Sequence, residues 1–165
     1  MFGKKEKNPD TFWQEYEEQT GEKVLSRSLG RYISGWEEFD SKRLNNIWGL
    51  IIATSGGFRF HHFPQQSWLM IFTQFSSREA PKEKTIFIPK EDLISAKIFK
   101  ESAWWKKIFA QKPPLLTLVY RDATGNEKQL LLEVDYYNAD KNNPNLVETL
   151  QALPEPLPKT APDHL

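Results

Sequence analysis

The residues in this sequence that are best suited to recognition chemistry lie in one aromatic and basic segment, residues 97–112. The segment carries five lysines and one glutamate, a formal charge of +4, and its lysines are interleaved with large apolar side chains. Tryptophan is enriched at protein-binding hot spots and at membrane interfaces, and lysine is attracted to anionic lipid. The candidate partner-binding or membrane-binding residues are Trp104, Trp105, Lys106, Lys107, Ile108 and Phe109.

These six residues, named the Trp/Lys segment here, have three interpretations. In the first, which the pattern favours, the four apolar side chains form one turn of an amphipathic helix that closes a barrel, and the lysines are simply solvated. In the second, the segment anchors a protein partner, and in the third it inserts at the headgroup boundary of an anionic membrane.

Other reactive residue types do not form the constellations that catalysis requires. His61 and His62 are adjacent in a predicted strand, so their side chains point to opposite faces and cannot chelate one ion together. No serine stands in a nucleophile elbow, no glycine-rich phosphate loop is present, and the chain contains no cysteine. We therefore expect no enzyme, no metal site and no cofactor.

Length and charge limit the remaining classes of function. A chain of 165 residues fits one domain, and its 22 basic residues equal its 22 acidic residues, so it lacks the positive field of a nucleic-acid-binding protein. Residues 1–9 lack the apolar stretch of a signal peptide, and the longest apolar runs are too short to span a bilayer. We expect a cytoplasmic protein, either free or peripheral at a membrane.

The elements that must position these residues are mostly short strands. After a flexible leader, residues 1–9, a helix is predicted over 10–22, with Asp10 as its N-cap and Gly21 at its end. The predicted strands then cover residues 24–34, 44–54, 58–63, 85–89, 93–100, 115–121 and 128–135. Gly56 and Gly57 mark one tight hairpin, and the turn at 122–126 marks another.

A second helix is predicted after the last strand, because four apolar residues recur there at helical spacing: Leu146, Val147, Leu150 and Leu153. Pro144 suits its first turn, and Asn143 is its predicted cap. Residues 154–165 form a proline-rich tail for which disorder or polyproline II structure is expected.

Several antiparallel strands followed by a capped amphipathic helix resemble the order of elements in pleckstrin-homology-like (PH-like) barrels. Residues 48–54, followed by Phe58, Arg59 and Phe60, are similar to the second and third strands of GRAM-type and bacterial PH-like domains. Residues 86–96 look like their recurring strand and turn. The resemblance covers residues 24–153 and implies a mainly β (α+β) fold, an antiparallel barrel or sandwich capped by a C-terminal helix, here with an additional N-terminal helix.

The resemblance also implies a binding function, because members of this superfamily bind phosphoinositides, peptides or proteins and are seldom catalysts. The phosphoinositide-binding members carry a basic cluster between the first two strands, whereas here Glu37, Glu38 and Asp40 offset Lys42 and Arg43. We therefore expect a non-catalytic module that recognises a protein or peptide, at an exposed strand edge or at the Trp/Lys segment. The alternative is a peripheral membrane or lipid-binding module that uses the same segment, residues 104–109.

Overall fold

The computed structural model describes residues 9–42, 47–62, 84–100, 112–135 and 143–154. In chain order the elements are α1 (Pro9–Thr20), β1 (Val24–Ser34), α2 (Glu37–Ser41), β2 (Trp48–Thr54), β3 (Gly57–His62), β4 (Lys84–Pro89), β5 (Leu93–Phe99), β6 (Leu115–Arg121), β7 (Glu127–Val134) and α3 (Leu146–Ala152). Within these ranges, no helix is long and apolar enough to cross a membrane.

The seven strands form one antiparallel sheet in the order β4, β3, β2, β1, β7, β6, β5. Strand β1 is 11 residues long, and it pairs with β2 along most of its length and with β7 towards its end. It therefore joins a four-stranded meander, β1 to β4, to a three-stranded one, β5 to β7. The predicted mainly β fold, with an N-terminal helix and a C-terminal helix, is confirmed.

Burial along β1 follows the period of two that is expected for a strand with one face in the core. The core lies between the two meanders and combines fully buried side chains such as Ile51 and Phe58 of the first with Leu118 and Leu132 of the second. Helix α3 packs its apolar stripe into the same cluster, including Leu150. The apolar pattern that predicted α3 is therefore the pattern that it buries.

Strand β1 begins to pair with β7 at Gly30, which is aligned with both Gly49 of β2 and Val134 of β7. A Cβ atom built on Gly30 would collide with the carbonyl oxygen of Glu133 and with the side chain of Ile51. The absence of a side chain at this position therefore allows β7 to approach β1 closely.

Helix α1 packs on the outer face of the first meander, opposite to the core. Phe12, Trp13 and Tyr16 are buried there against Leu50 and Ile52 of β2. The aromatic face that the sequence gives this helix is thus its contact with the sheet. The helix begins at Pro9, so Asp10 lies in its first turn and was wrongly predicted to precede it as the cap.

The predicted cap of the C-terminal helix was also wrong, because Asn145 and not Asn143 holds that position. The Oδ1 atom of Asn145 accepts from the backbone N–H groups of Val147 (3.0 Å) and Glu148 (3.1 Å). Asn143 instead bonds to β1: its Oδ1 accepts from the N–H of Arg27 (2.9 Å) and its Nδ2 donates to the carbonyl of the same residue (2.7 Å). Its side chain thus satisfies backbone groups of β1 as a neighbouring strand would.

We expect Asn143→Ala to lower the free energy of unfolding by about 1–3 kcal/mol, because it leaves two partly buried backbone groups of Arg27 without partners. Urea unfolding followed by circular dichroism measures this change. The loss should exceed that of the cap variant Asn145→Ala, about 1 kcal/mol. Gln14→Ala on the exposed face of α1 is the control, with a change within about 0.5 kcal/mol. Equal values for Asn143→Ala and Gln14→Ala would contradict the assignment.

Candidate functional site

The six residues of the Trp/Lys segment lie outside the described residues, so their predicted role stays a prediction. The described chain reaches Lys100 on one side of the segment and resumes at Lys112 on the other. At the near end, Phe99 of β5 has 65% of its surface exposed, and Lys97 and Lys100 beside it are exposed as well.

A cavity of about 610 Å³ lies where three parts of the described structure meet: α2, the end of β4 with its following turn, and the turn between β6 and β7. We name it the seam cavity, since β4 and β5 are the two outermost strands of the described sheet. Its volume is within the range of about 300–1,000 Å³ that small-ligand sites occupy. No pattern in the sequence predicts a cavity at this place.

One wall of the seam cavity is the end of β4. Three consecutive residues line it, Phe87, Ile88 and Pro89, although successive side chains of a strand point to opposite faces. The cavity therefore meets β4 along its edge and not on one face. In the described structure β4 pairs with β3 alone, so the edge of β4 away from β3 has no described strand beside it.

The opposite wall is aromatic, formed by Trp36 before α2 and Tyr120 at the end of β6. The centroids of their rings are 5.8 Å apart and the ring planes are inclined by 32°. Tyr120 is buried, and its hydroxyl donates to the carbonyl of Gly35 at 3.0 Å. The two rings thus belong to one packed unit that joins the connection after β1 to strand β6.

Tyr32, at the end of β1, fixes the position of Trp36. Its hydroxyl accepts from the backbone N–H of Trp36 (2.6 Å) and donates to Oδ1 of Asp40 in α2 (2.6 Å), while Oδ2 of Asp40 accepts from the N–H of Gly35 (3.1 Å). Burial and the neighbouring Asp40 carboxylate raise the pKa of Tyr32 above its ordinary value, so the hydroxyl remains a donor at neutral pH. We name these bonds the Tyr32 clamp.

Gly35 makes the clamp sterically feasible. Its φ angle is +106°, a left-handed conformation that favours glycine, and a Cβ atom there would collide with the carbonyl oxygen of Gln129 in β7. The sequence predicts residues 35–43 only as a loop whose charge does not suit phosphoinositides. The signal for this site in the sequence is a tryptophan, Trp36, followed directly by two glutamates. That Trp36 lies close to Tyr120 could not be predicted, because it depends on the fold.

The two histidines face different elements. The Nε2 atom of His61 is 2.7 Å from the hydroxyl of Tyr16 on α1, whereas Nδ1 of His62 is 3.0 Å from the carbonyl of Trp48. Nδ1 of His61 is also 3.1 Å from Oγ1 of Thr85 on β4. In the ranges that the structure describes, no group of three or more His, Cys, Asp or Glu side chains is placed to hold a metal ion.

A charged pair next to His61 completes the contact of α1 with the outer face. The guanidinium of Arg59 donates two hydrogen bonds to the carboxylate of Glu22, at 2.7 and 2.9 Å, and it lies 4.0 Å from the centre of the Phe87 ring. Arg59 lowers the pKa of Glu22 through these bonds. Phe87 therefore belongs both to this outer cluster and to the wall of the seam cavity.

Comparison with known proteins does not assign a function to this chain. No protein-family model matches the chain, and no curated protein matches it. Among solved structures, it is similar to the hSac2 domain from human phosphoinositide phosphatase Sac2, with 13% sequence identity and a TM-score of 0.42. The alignment covers 87% of this chain and 74% of that one. At this level of similarity the comparison supports no functional conclusion.

We expect the stability of the protein to fall as the pH drops from about 6.5 towards 5, with roughly one proton taken up on unfolding. Burial, together with the positive charge of Arg59, lowers the pKa of His61 to about 4. The unfolded chain therefore binds this proton in a pH range where the folded chain does not. Urea unfolding at several pH values measures the slope, which His61→Gln should flatten. The control His62→Gln leaves His61 in place and should keep the slope of stability against pH. An unchanged slope in His61→Gln would contradict the expectation.

Tyr32→Phe should loosen α2 while leaving the sheet folded, because it removes only the hydroxyl of the Tyr32 clamp. Amide hydrogen exchange followed by NMR should accelerate at Trp36 and Asp40 by about tenfold or more, since one hydrogen bond to a charged group is lost. Tyr16→Phe, which removes a hydroxyl on the outer face, is the matched control and should leave both amides unchanged. Unaltered exchange in Tyr32→Phe would show that the clamp does not hold α2.

Proposed function

We infer that this chain is a non-catalytic binding module of PH-like fold that receives an extended segment of a protein partner in the seam cavity. The strand order and the helix packed against the core support the fold assignment. The observation that carries the function is the meeting of an edge strand, β4, with an aromatic wall at one cavity of suitable size.

An edge strand supports this function because half of its backbone N–H and C=O groups point away from its one partner. A peptide that pairs with such an edge gains main-chain hydrogen bonds, and adjacent pockets select its side chains. The seam cavity offers both features, because Phe87 lies on the edge of β4 while Trp36 and Tyr120 add an aromatic wall. Pro89 ends this edge, since it has no N–H and its carbonyl already accepts from the N–H of Asp92 (3.0 Å).

The walls of the cavity are held before any partner arrives. The Tyr32 clamp fixes α2 and Trp36 to the end of β1, and the hydroxyl of Tyr120 bonds to Gly35. On the other side, the N–H of Lys90 donates to the carbonyl of Gly56 (3.0 Å), and the N–H of Arg121 donates to the carbonyl of Asp92 (2.9 Å). A site that is ordered in advance costs less conformational entropy when it binds.

A second candidate function is attachment to an anionic membrane through the Trp/Lys segment. The described observation in its favour is the exposed Phe99 with Lys97 and Lys100 beside it, at the point where β5 leads towards that segment. Aromatic side chains next to lysines suit the headgroup region of anionic bilayers. This surface is at the far end of β5 from Asp92, a residue of the seam cavity, so the two candidates can be tested separately.

A random peptide library displayed on phage tests the first function. We expect peptides that bind the wild type, shift the backbone NMR signals of Phe87 and Ile88, and lose affinity when Ala123→Phe fills the cavity from its rim. Trp36→Ala removes one aromatic wall and should weaken binding by at least about tenfold, as is typical of an interface hot spot. Phe99→Ala is the control at the other end of the sheet and should bind the same peptides.

Selected peptides that bind Ala123→Phe as tightly as the wild type, without shifts in β4, would contradict the cavity as the binding site. Vesicles of phosphatidylcholine and phosphatidylserine test the second function in parallel. Salt-sensitive co-sedimentation that Phe99→Ala and Lys106→Glu weaken would support membrane attachment. Absence of co-sedimentation at low salt would rule it out.

A further inference from the structure

The charge of the seam cavity indicates which partner segments it accepts. Its lining contains four acidic side chains and two basic ones, a formal charge of −2, although the chain as a whole is neutral. The acidic residues are Glu37, Glu38, Asp92 and Asp122, and the basic residues are Arg121 and Lys128.

Asp122 and Lys128 largely neutralise each other and serve the turn between β6 and β7. Nζ of Lys128 is 3.2 Å from Oδ2 of Asp122. The Oδ1 atom of Asp122 accepts from Oγ1 of Thr124 (2.6 Å) and from the N–H groups of Thr124 and Asn126. These bonds, the one from Thr124 first, lower the pKa of Asp122 to about 2. The charges that remain are the carboxylates of Glu37, Glu38 and Asp92 and the guanidinium of Arg121, so the surplus of −2 lies with α2 and Asp92.

The carboxylate of Glu37 is only loosely engaged. Its side chain is 91% exposed, and the ammonium group of Lys128 is 3.9 Å away, at the outer limit of an ion pair. Glu38 pairs with Lys42 at 3.4 Å, and both side chains are about half exposed. Exposed pairs of this kind contribute about 0–1 kcal/mol and exchange readily for another cation. An incoming cation can therefore compete for both glutamates.

The aromatic wall lies beside these carboxylates. Trp36 and Tyr120 line the same cavity as Glu37, Glu38 and Asp92, so aromatic rings and carboxylates border one space. A cation on an aliphatic stem suits this combination, because the stem packs on the rings while the charged end meets the carboxylates. An anionic group, such as a phosphate, would instead meet a net negative charge.

We propose that the partner segment inserts an arginine or lysine side chain into the seam cavity, with its stem on Trp36 and Tyr120 and its charge facing Glu37 and Asp92. This inference rests on the proposed function and specifies the partner as a basic peptide. It follows from the geometry of the cavity and the sign of its lining. The acidic residues after Trp36 would thus attract the basic side chain of the peptide. The same negative charge opposes binding of phosphoinositides between β1 and β2.

The probe is the same peptide library, and the variant is Glu37→Gln/Asp92→Asn, which removes two charges and keeps the side-chain shapes. Peptides selected on the wild type should contain a recurrent arginine or lysine and should bind the double variant about tenfold more weakly by isothermal titration calorimetry. Replacing that arginine by citrulline in the peptide should weaken binding to the wild type to a similar degree. The control Glu18→Gln/Glu148→Gln also removes two negative charges, but on α1 and α3, away from the cavity. It should leave the affinity for these peptides unchanged.

Four outcomes separate the inference from the function on which it rests. A loss of affinity confined to Glu37→Gln/Asp92→Asn supports the basic-peptide inference. Peptides without a basic residue that still depend on Trp36 and Ala123 overturn the inference and leave the proposed function intact. An equal loss in both charge-matched double variants also overturns it, because the attraction would then be to the whole molecule. Peptides that bind without any dependence on the cavity overturn both.

Discussion

The pairing of β1 with two partners is the constraint on which the rest of this structure depends. This strand of 11 residues lies between β2 and β7 in the sheet and pairs with both. The four-stranded and three-stranded meanders are thereby joined, and their residues share one core. Where the pairing with β7 begins, Gly30 lies opposite Gly49 and Val134, and a larger residue there would meet the backbone of Glu133. Backbone proximity at this point thus determines how the core closes.

The end of the same strand also builds the candidate site. Tyr32 is the inward-facing residue near the end of β1, and its hydroxyl reaches Asp40 and the backbone of Trp36. Because Gly35 has a positive φ angle, the chain can turn there and lay α2 beside the turn between β6 and β7. The walls of the seam cavity are therefore positioned by the strands of the sheet and not by a loop that folds independently. Its outer wall, the edge of β4, is joined through Phe87 and Arg59 to the contact with α1.

Two polar contacts distant in sequence hold the flanking segments to the sheet. Glu22 follows α1 and binds Arg59 of β3, and Asn143 precedes α3 and binds both backbone groups of Arg27. Each contact satisfies groups that would otherwise be poorly hydrated, so each also specifies where its helix packs. The prediction of Asn143 as a helix cap failed for this reason: an asparagine before a proline suits a cap locally, but the strand across from it offered better geometry.

The sequence by itself determined the periodic elements of this protein. Alternating burial in β1 and β6, the glycine turn before β3 and the apolar stripe of α3 could all be predicted, because side-chain period and turn chemistry are local properties. Tertiary structure alone decided the site. Trp36 and Tyr120 are 84 positions apart, and only the pairing of β1 with β7 and of β7 with β6 brings their rings within 5.8 Å. No local pattern encodes such a distance, since it depends on how strands far apart in the chain align and on where the sheet remains open.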